Sequence, residues 1–307
     1  MKPVLEKFSN RLKAAQGSLR EQRAGLLEAV RQDPEFQREN ITLYDFDTLD
    51  NIDMILQLVA ARAEQLDEMP NKTMIDIGCA NGELGFAFEE ASFAVALLDK
   101  SHVAEGLGSH VRQNAPLVAS IIARSKGSQA VIFDQDVDED FDPRRVIDGF
   151  ARSQRGGPAF DRFGLGVMVG VLYHLKNPYS VVEKLTRLCD YMILGTWVAD
   201  CLPDRQRIIE DDQVVFLLED RQLAADPSNY WIFTPRSFRV LVERCGWRIL
   251  AEHSVTNPSP GVPTGRVRRR LRRWAQLAGT QPGVSPPDDV KQRMILFLKR
   301  KDLDSPS

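Results

Sequence analysis

A chain of 307 residues, 43% hydrophobic and 27% charged, carries enough apolar material for a large core, which excludes a disordered polyelectrolyte. Its formal net charge of −3 excludes whole-surface attraction to nucleic acid, so any polyanion site has to be local. No apolar run approaches the roughly 20 residues that span a bilayer, and the opening MKPVLEKFSNRLKAAQ lacks a secretory apolar stretch, so the expected location is cytoplasmic.

Residues 1–32 place Val4, Leu5, Phe8, Leu12, Leu19, Leu26 and Val30 among charges, which predicts an amphipathic helix with a break near Gly17. Asp33-Pro34 ends it. A second helix is expected from about Leu49 to Leu66, capped by Asp47 or Thr48, with Ile52, Ile55, Leu56 and Val59 on one face. These segments form an expected N-terminal helical cap over residues 1–70.

From residue 73 the texture changes. The runs TMIDIG, FAVALLD, QAVIFDQD, RFGLGVMVG, DYMILGTW, WRILAEHSV and QRMILFLKR read as seven strands separated by helices. Short apolar runs without strict alternation are buried on both faces. The expected fold is therefore α/β: a Rossmann-like, seven-stranded, mostly parallel sheet with helices on both faces. Asn177-Pro178 and Thr234-Pro235 are N-cap and first-turn pairs that open two of those helices, and Gly246 stops the second. The sheet-bearing domain is expected over 71–307, with a helical insertion near 201–230 and another insertion near 257–289, rich in Pro and Gly. The cysteines Cys79, Cys189, Cys201 and Cys245 show no Cys-x-x-Cys spacing and no His neighbours, so neither a metal site nor a disulfide framework is expected.

The strand TMIDI runs into a turn of small residues, Gly78, Ala80 and Gly82, followed by a helix from about Glu83. Small residues let the backbone approach a ligand at the carboxyl end of a strand, where helix N–H groups face the crevice. The dinucleotide fingerprint G-x-G-x-x-G would place a glycine at Glu83, which disfavours a nicotinamide cofactor. The pattern led by Asp76, with Gly78, Ala80 and Gly82, resembles instead the D-x-G-x-G-x-G motif of class I S-adenosylmethionine-dependent methyltransferases. Asp99 ends the next strand about 20 residues on, where a carboxylate can accept from both ribose hydroxyls; the alternative is a helix N-cap for a segment starting at Ser101. After the third strand the resemblance implies an acid for the adenine amino group beside an apolar cover: Asp136 with Val137, or Asp138.

Further along, GVLYH (residues 170–174) followed by Pro178 resembles the tRNA wobble-uridine carboxymethyltransferase-like group. The same group is similar to this chain at Thr42-Leu43-Tyr44, at Phe233, Pro235, Leu241, Cys245 and Gly246, and at Arg293 before the last strand. That resemblance brings carboxy-S-adenosylmethionine and tRNA into view, and implies that Tyr173 and Arg293 help hold the extra carboxylate of that cofactor. Its third carboxylate holder, a Lys before G-P-F, has at best Arg38 in its place, and Arg and Lys are not equivalent there. Methyl transfer from S-adenosylmethionine to an unidentified small-molecule acceptor or tRNA is thus the leading expectation, carboxymethyl transfer the second, and a catalytically silent binding module the third. His174 is the histidine placed to act as a base, with Tyr173 beside it, although closing the helix cap is an equal use for it. The basic run Arg266, Arg268, Arg269, Arg270, Arg272 and Arg273 is a candidate contact for an anionic partner.

Overall fold

The computed structural model describes residues 3–44, 47–60, 69, 72–104, 111–153, 160–199, 212–219, 226–256 and 292–304. The basic run 266–273 and the insertion near 257–289 lie outside the described residues.

Helix α1 (Pro3–Gln32) is continuous. Its expected break near Gly17 does not occur, because Gly17 lies on the exposed face while Leu12, Ala15, Gln16, Leu19, Leu27 and Val30 bury the opposite one. An exposed mid-helix glycine costs only about 1 kcal/mol, less than that face secures. Asp33 then accepts from the N–H groups of Glu35 and Phe36 and caps α2 (Pro34–Glu39). Asp47 caps a 3₁₀ turn (Thr48–Asp50) through Leu49 N–H, and α3 (Asn51–Ala60) follows. Residues 61–68, the expected end of that helix, lie outside the described residues.

All seven expected strands enter one sheet. In chain order they are β1 (Thr73–Ile77), β2 (Ala94–Asp99), β5 (Val131–Asp134), β6 (Phe163–Val169), β7 (Cys189–Val198), β10 (Trp247–Thr256) and β11 (Gln292–Arg300). The spatial order is β10-β11-β7-β6-β1-β2-β5, with β11 antiparallel to both neighbours and the pairs among β5, β2, β1, β6 and β7 parallel. Side chains of successive strand residues point to opposite faces, so Leu97 of β2 joins one apolar cluster while Ala96 and Leu98 join the other. The first cluster packs α1, α3, α4 (Glu83–Glu90) and α5 (Ala115–Lys126) on the sheet. The second packs α6 (Pro143–Ser153), α7 (Pro178–Leu185) and α8 (Pro235–Arg244) on the other face. The caps read from sequence hold: Asn177 accepts from Ser180 N–H and Thr234 from Ser237 N–H.

Four shorter strands add to this frame. β3 (Ser101–Ala104) and β4 (Val111–Asn114) pair antiparallel outside the main sheet. β8 (Val215–Leu217) pairs antiparallel with β9 (Trp231–Phe233), which joins β7 at Val198. The expectation of a helical 201–230 insertion is therefore corrected over its described residues: Val215–Leu217 is a strand paired with β9, and 212–214, 218–219 and 226–230 are not helical, while residues 201–211 and 220–225 lie outside the described residues. No described helix is long and apolar enough to cross a membrane.

Candidate active site

The strand order reverses between β1 and β6. β1 leads to β2 on one side, while the chain returns from β5 to β6 on the other. Crevices at such a reversal, outside the carboxyl ends of the strands, are where open α/β sheets bind ligands. Here the loops after β1, β2, β5 and β6 converge.

The loop after β1 has φ of +71° at Gly78, +50° at Ala80 and +80° at Gly82. A Cβ added at Gly78 would lie 2.2 Å from Val171 Cγ2 of the loop after β6, so this glycine also lets the two loops close on each other. At Gly82 a Cβ would meet Leu97 Cδ1 at 2.8 Å and Phe86 Cε2 at 2.9 Å, so the glycine serves helix packing as well as the turn. Ala80 holds a left-handed conformation that costs an L-residue about 1–2 kcal/mol, and Asp99 Oδ2 secures it by accepting from Ala80 N–H at 2.8 Å. Gly82 is the N-cap of α4 and offers no side chain. Asp76 supplies the missing acceptor from below, with Oδ2 3.1 Å from Gly85 N–H. Asp76 is 3% exposed, and burial, reinforced by nearby Asp99 and opposed by the Gly85 N–H, pushes its carboxyl up to about 7. Its place is thus beneath the turn, as a support.

Asp99 stands at the end of β2, half-buried, with Oδ1 accepting from Lys100 N–H at 2.7 Å. Each carboxylate oxygen has two acceptor sites, so these backbone bonds leave room for ligand hydroxyls. Its alternative use as a helix cap is removed, because Ser101–Ala104 is a strand and Ser101 N–H donates to Asp134 Oδ1 at 3.1 Å. Asp136 Oδ2 pairs with Lys100 Nζ at 2.6 Å, and Oδ1 accepts from Asp138 N–H. Burial works to raise this carboxyl, but the Lys100 pair and the Asp138 N–H prevail and hold it below the ordinary range. Val137 is buried beside it. Asp138 points elsewhere: its oxygens accept from Lys176 N–H at 2.5 Å and Asn177 N–H at 3.0 Å, tying this loop to the one after β6.

On the other side of the crevice, Met54, Gly170, Tyr173, Thr196, Trp197 and Arg293 line a small pocket. The Arg293 guanidinium carbon lies 4.8 Å from the Trp197 ring centroid, and Nη1 donates to Asn51 Oδ1 at 3.2 Å. Tyr173 lines this pocket with Trp197 and Arg293; burial pushes its phenol upward, while Arg293 and then the Trp197 N–H pull it back. Thr196 Oγ1 is buried and lacks a hydrogen-bond partner among the described residues. His174 lies in a 3₁₀ turn (Leu172–His174), its ring 4.3 Å from that of Tyr173 and its Nδ1 2.9 Å from Ser228 Oγ.

The N-terminal segment closes over the turn through residues that sequence reasoning passed over. Glu83 is buried, bonded to Arg23 Nε at 2.7 Å and to Thr48 N–H and Oγ1–H at 3.3 and 3.2 Å. Asn81 Nδ2 donates to Tyr44 O at 2.8 Å. Burial, with Tyr173, Asp99 and Asp226 nearby, pushes the Tyr44 phenol up to about 12. The signal for Glu83 was present as an acid at the first turn of a helix, and that for Tyr44 as part of Thr42-Leu43-Tyr44; Trp197, Thr196, Asp226 and Ser228 had none. The described cysteines, Cys79, Cys189 and Cys245, are free and buried, with burial pushing each thiol up. Among the described residues no group of three or more His, Cys, Asp and Glu side chains is placed to hold a metal ion.

No curated protein matches the sequence. Among solved structures, the chain is similar to the N-terminal domain of EvdMO1 with S-adenosylhomocysteine bound, at 14% identity and TM-score 0.47, over 91% of this chain and 96% of that one. It is also similar to the [4+2]-cyclase SpnF, at 14% identity and TM-score 0.46, over 90% and 92%. A third is the Burkholderia thailandensis 1,6-didemethyltoxoflavin-N1-methyltransferase, at 12% identity and TM-score 0.43, over 82% and 83%. A methyltransferase-domain family model matches residues 51–252, spanning β1 to β10 and every loop of the crevice. The chain belongs to that family, the methyltransferase-domain proteins.

Proposed function

We propose that this chain transfers the methyl group of S-adenosylmethionine to an acceptor atom that carries a proton, and that the two halves of the crevice divide the work. The observation that carries this reading is Asp99: a carboxylate locked onto Ala80 N–H at the edge of a small-residue turn, at the strand-order reversal. A sugar diol beside the turn finds acceptors already oriented there. Gly78, Ala80 and Gly82 form the cradle, held up by Asp76. Asp136 and Val137 take the adenine, with Asp136 preferred because the oxygens of Asp138 already serve the 176–177 backbone.

When bound, S-adenosylmethionine supplies a methyl carbon on a sulfonium that leaves as a neutral thioether, so the protein's tasks are alignment, dryness and proton handling. Tyr173, Trp197 and Arg293 shape the acceptor pocket, and His174 takes the proton that the acceptor atom gives up. Residues 1–70 act as the cap, clasped to the cofactor side through Glu83–Arg23 and Asn81–Tyr44.

Carboxymethyl transfer to tRNA is a second reading, favoured by one feature. Arg293 faces the pocket with Tyr173 and Thr196, and no carboxylate lies within ion-pair reach of it among the described residues. The test of both is mass spectrometry of the nucleoside that copurifies with the protein. S-adenosylmethionine or S-adenosylhomocysteine is expected; carboxy-S-adenosylmethionine would overturn the first reading in favour of the second.

A further inference from the structure

The loop before β9 brings a second polar group against His174. Ser228 Oγ lies 2.6 Å from Asp226 Oδ1 and 2.9 Å from His174 Nδ1, and Ser228 O lies 3.2 Å from the same nitrogen. Ser228 N–H also donates to Asp226 Oδ1, at 2.9 Å, fixing the hydroxyl and the carboxylate to one another.

Counting protons decides the tautomer. A serine hydroxyl has one proton. If it pointed at His174, Ser228 Oγ and Asp226 Oδ1 would face each other at 2.6 Å with lone pairs only. The proton therefore lies between Ser228 and Asp226, and Ser228 Oγ is left as an acceptor toward His174. Ser228 O is an acceptor in any case. Both groups facing Nδ1 thus require a proton on Nδ1, and the neutral ring carries its lone pair on Nε2.

We infer that Asp226 and Ser228 are positioning residues that lock His174 in the Nδ1–H tautomer and make Nε2 its basic atom. This deepens the proposed function, since the use of Nε2 as the base rests on that reading, but the lock stands on the hydrogen bonds alone. The charged and titratable groups around His174 agree with it. Asp226 stabilises the imidazolium through Ser228. Tyr173 lies against the ring, and Tyr230 N–H donates to Tyr173 O at 2.8 Å. Lys176, which would oppose a positive ring, is held by Glu139, and Asp138 sits on the adjacent backbone. Arg293 acts on Tyr173 from the strand side, and Tyr44 is near Tyr173 and Asp226.

The experiment is long-range ¹H–¹⁵N correlation on the full chain labelled at histidine, as a function of pH, with His174 assigned by its loss in His174→Asn. Wild-type His174 is expected to be protonated at Nδ1 when neutral. Asp226→Ala leaves the Ser228 hydroxyl free to donate to Nδ1 and should shift the ring furthest toward the Nε2–H tautomer, and Ser228→Ala, which leaves Ser228 O facing Nδ1, should shift it less. Asp226→Asn, whose amide oxygen still accepts the Ser228 proton, should keep the tautomer and lower the titration midpoint by about half a unit, the scale of one charge a few ångströms away in water. Ser228→Thr keeps a hydroxyl and should keep the tautomer, and unchanged signals from His253 report an intact fold. A neutral wild-type ring protonated at Nε2, or a tautomer that Asp226→Ala does not move, overturns the lock. Unaltered methyl transfer by His174→Asn would defeat the base reading alone and leave the lock in place.

Discussion

Replacing Asp76 by Asn should change how the protein's stability depends on pH. Asp76 is buried beneath the cofactor turn, and its carboxyl is pushed from 3.8 up to about 7, first by burial, with Asp99 adding and Gly85 N–H subtracting. A group whose folded value lies above its unfolded one contributes stability that is fully present below the unfolded value. That contribution is lost as pH rises through the folded one. Each unit corresponds to about 1.4 kcal/mol, so the rise from 3.8 to about 7 places on the order of 4 kcal/mol in the window between pH 4 and pH 8. Asn retains an oxygen for Gly85 N–H and cannot ionise. Asp76→Asn should therefore gain on the wild type steadily from pH 4 to pH 8, by up to that amount. Urea unfolding midpoints across this range, converted through a common slope, measure the difference. Parallel curves for the two proteins would refute the reasoning, because Asp76 would then titrate outside the window.

Ala80→Gly should stabilise the fold by roughly 0.5–1 kcal/mol, since relief of the left-handed strain exceeds the added freedom of the unfolded chain; thermal unfolding tests it, and a lower midpoint would show that the strain is absent. Arg23→Met leaves buried Glu83 with Thr48 as its donor; a loss of about 1–3 kcal/mol in urea is expected, and a loss below 0.5 kcal/mol would mean that the cap is held elsewhere. Arg293→Met should leave S-adenosylmethionine affinity within about twofold by calorimetry, and a tenfold loss would place the arginine on the cofactor.

The seven main strands were legible because each is a buried apolar run bounded by turn residues, and the caps at Asn177 and Thr234 because Asn-Pro and Thr-Pro have a defined helical use. β8 and β9 were not, since three residues are too few to show alternation. β3 and β4, with SHVA and VRQN, have no apolar pattern to read. In the site, Asp99 was legible from its distance to the glycine turn. Asp76 was legible as a motif position, but its burial, and so its task of supporting α4, depends on how the helix packs on β1 and β2. Asp138 shows the opposite failure. A run of acids after β5 names candidates, and only the approach of the 176–177 backbone separates Asp138 from Asp136. Asp226 and Ser228 lie more than 50 residues from His174, and no local pattern announces that contact.

The central claim is that the Gly78–Gly82 turn and Asp99 hold S-adenosylmethionine. Calorimetric titration of S-adenosylhomocysteine into the wild type and Asp99→Ala, with NAD as the control ligand, tests it most directly. Losing a hydrogen-bonded carboxylate is worth on the order of 1.5–3 kcal/mol, so the variant should bind roughly tenfold to a hundredfold more weakly, and NAD should give no heat of binding. Equal affinity of the two proteins for S-adenosylhomocysteine, or binding of NAD at comparable strength, would contradict it.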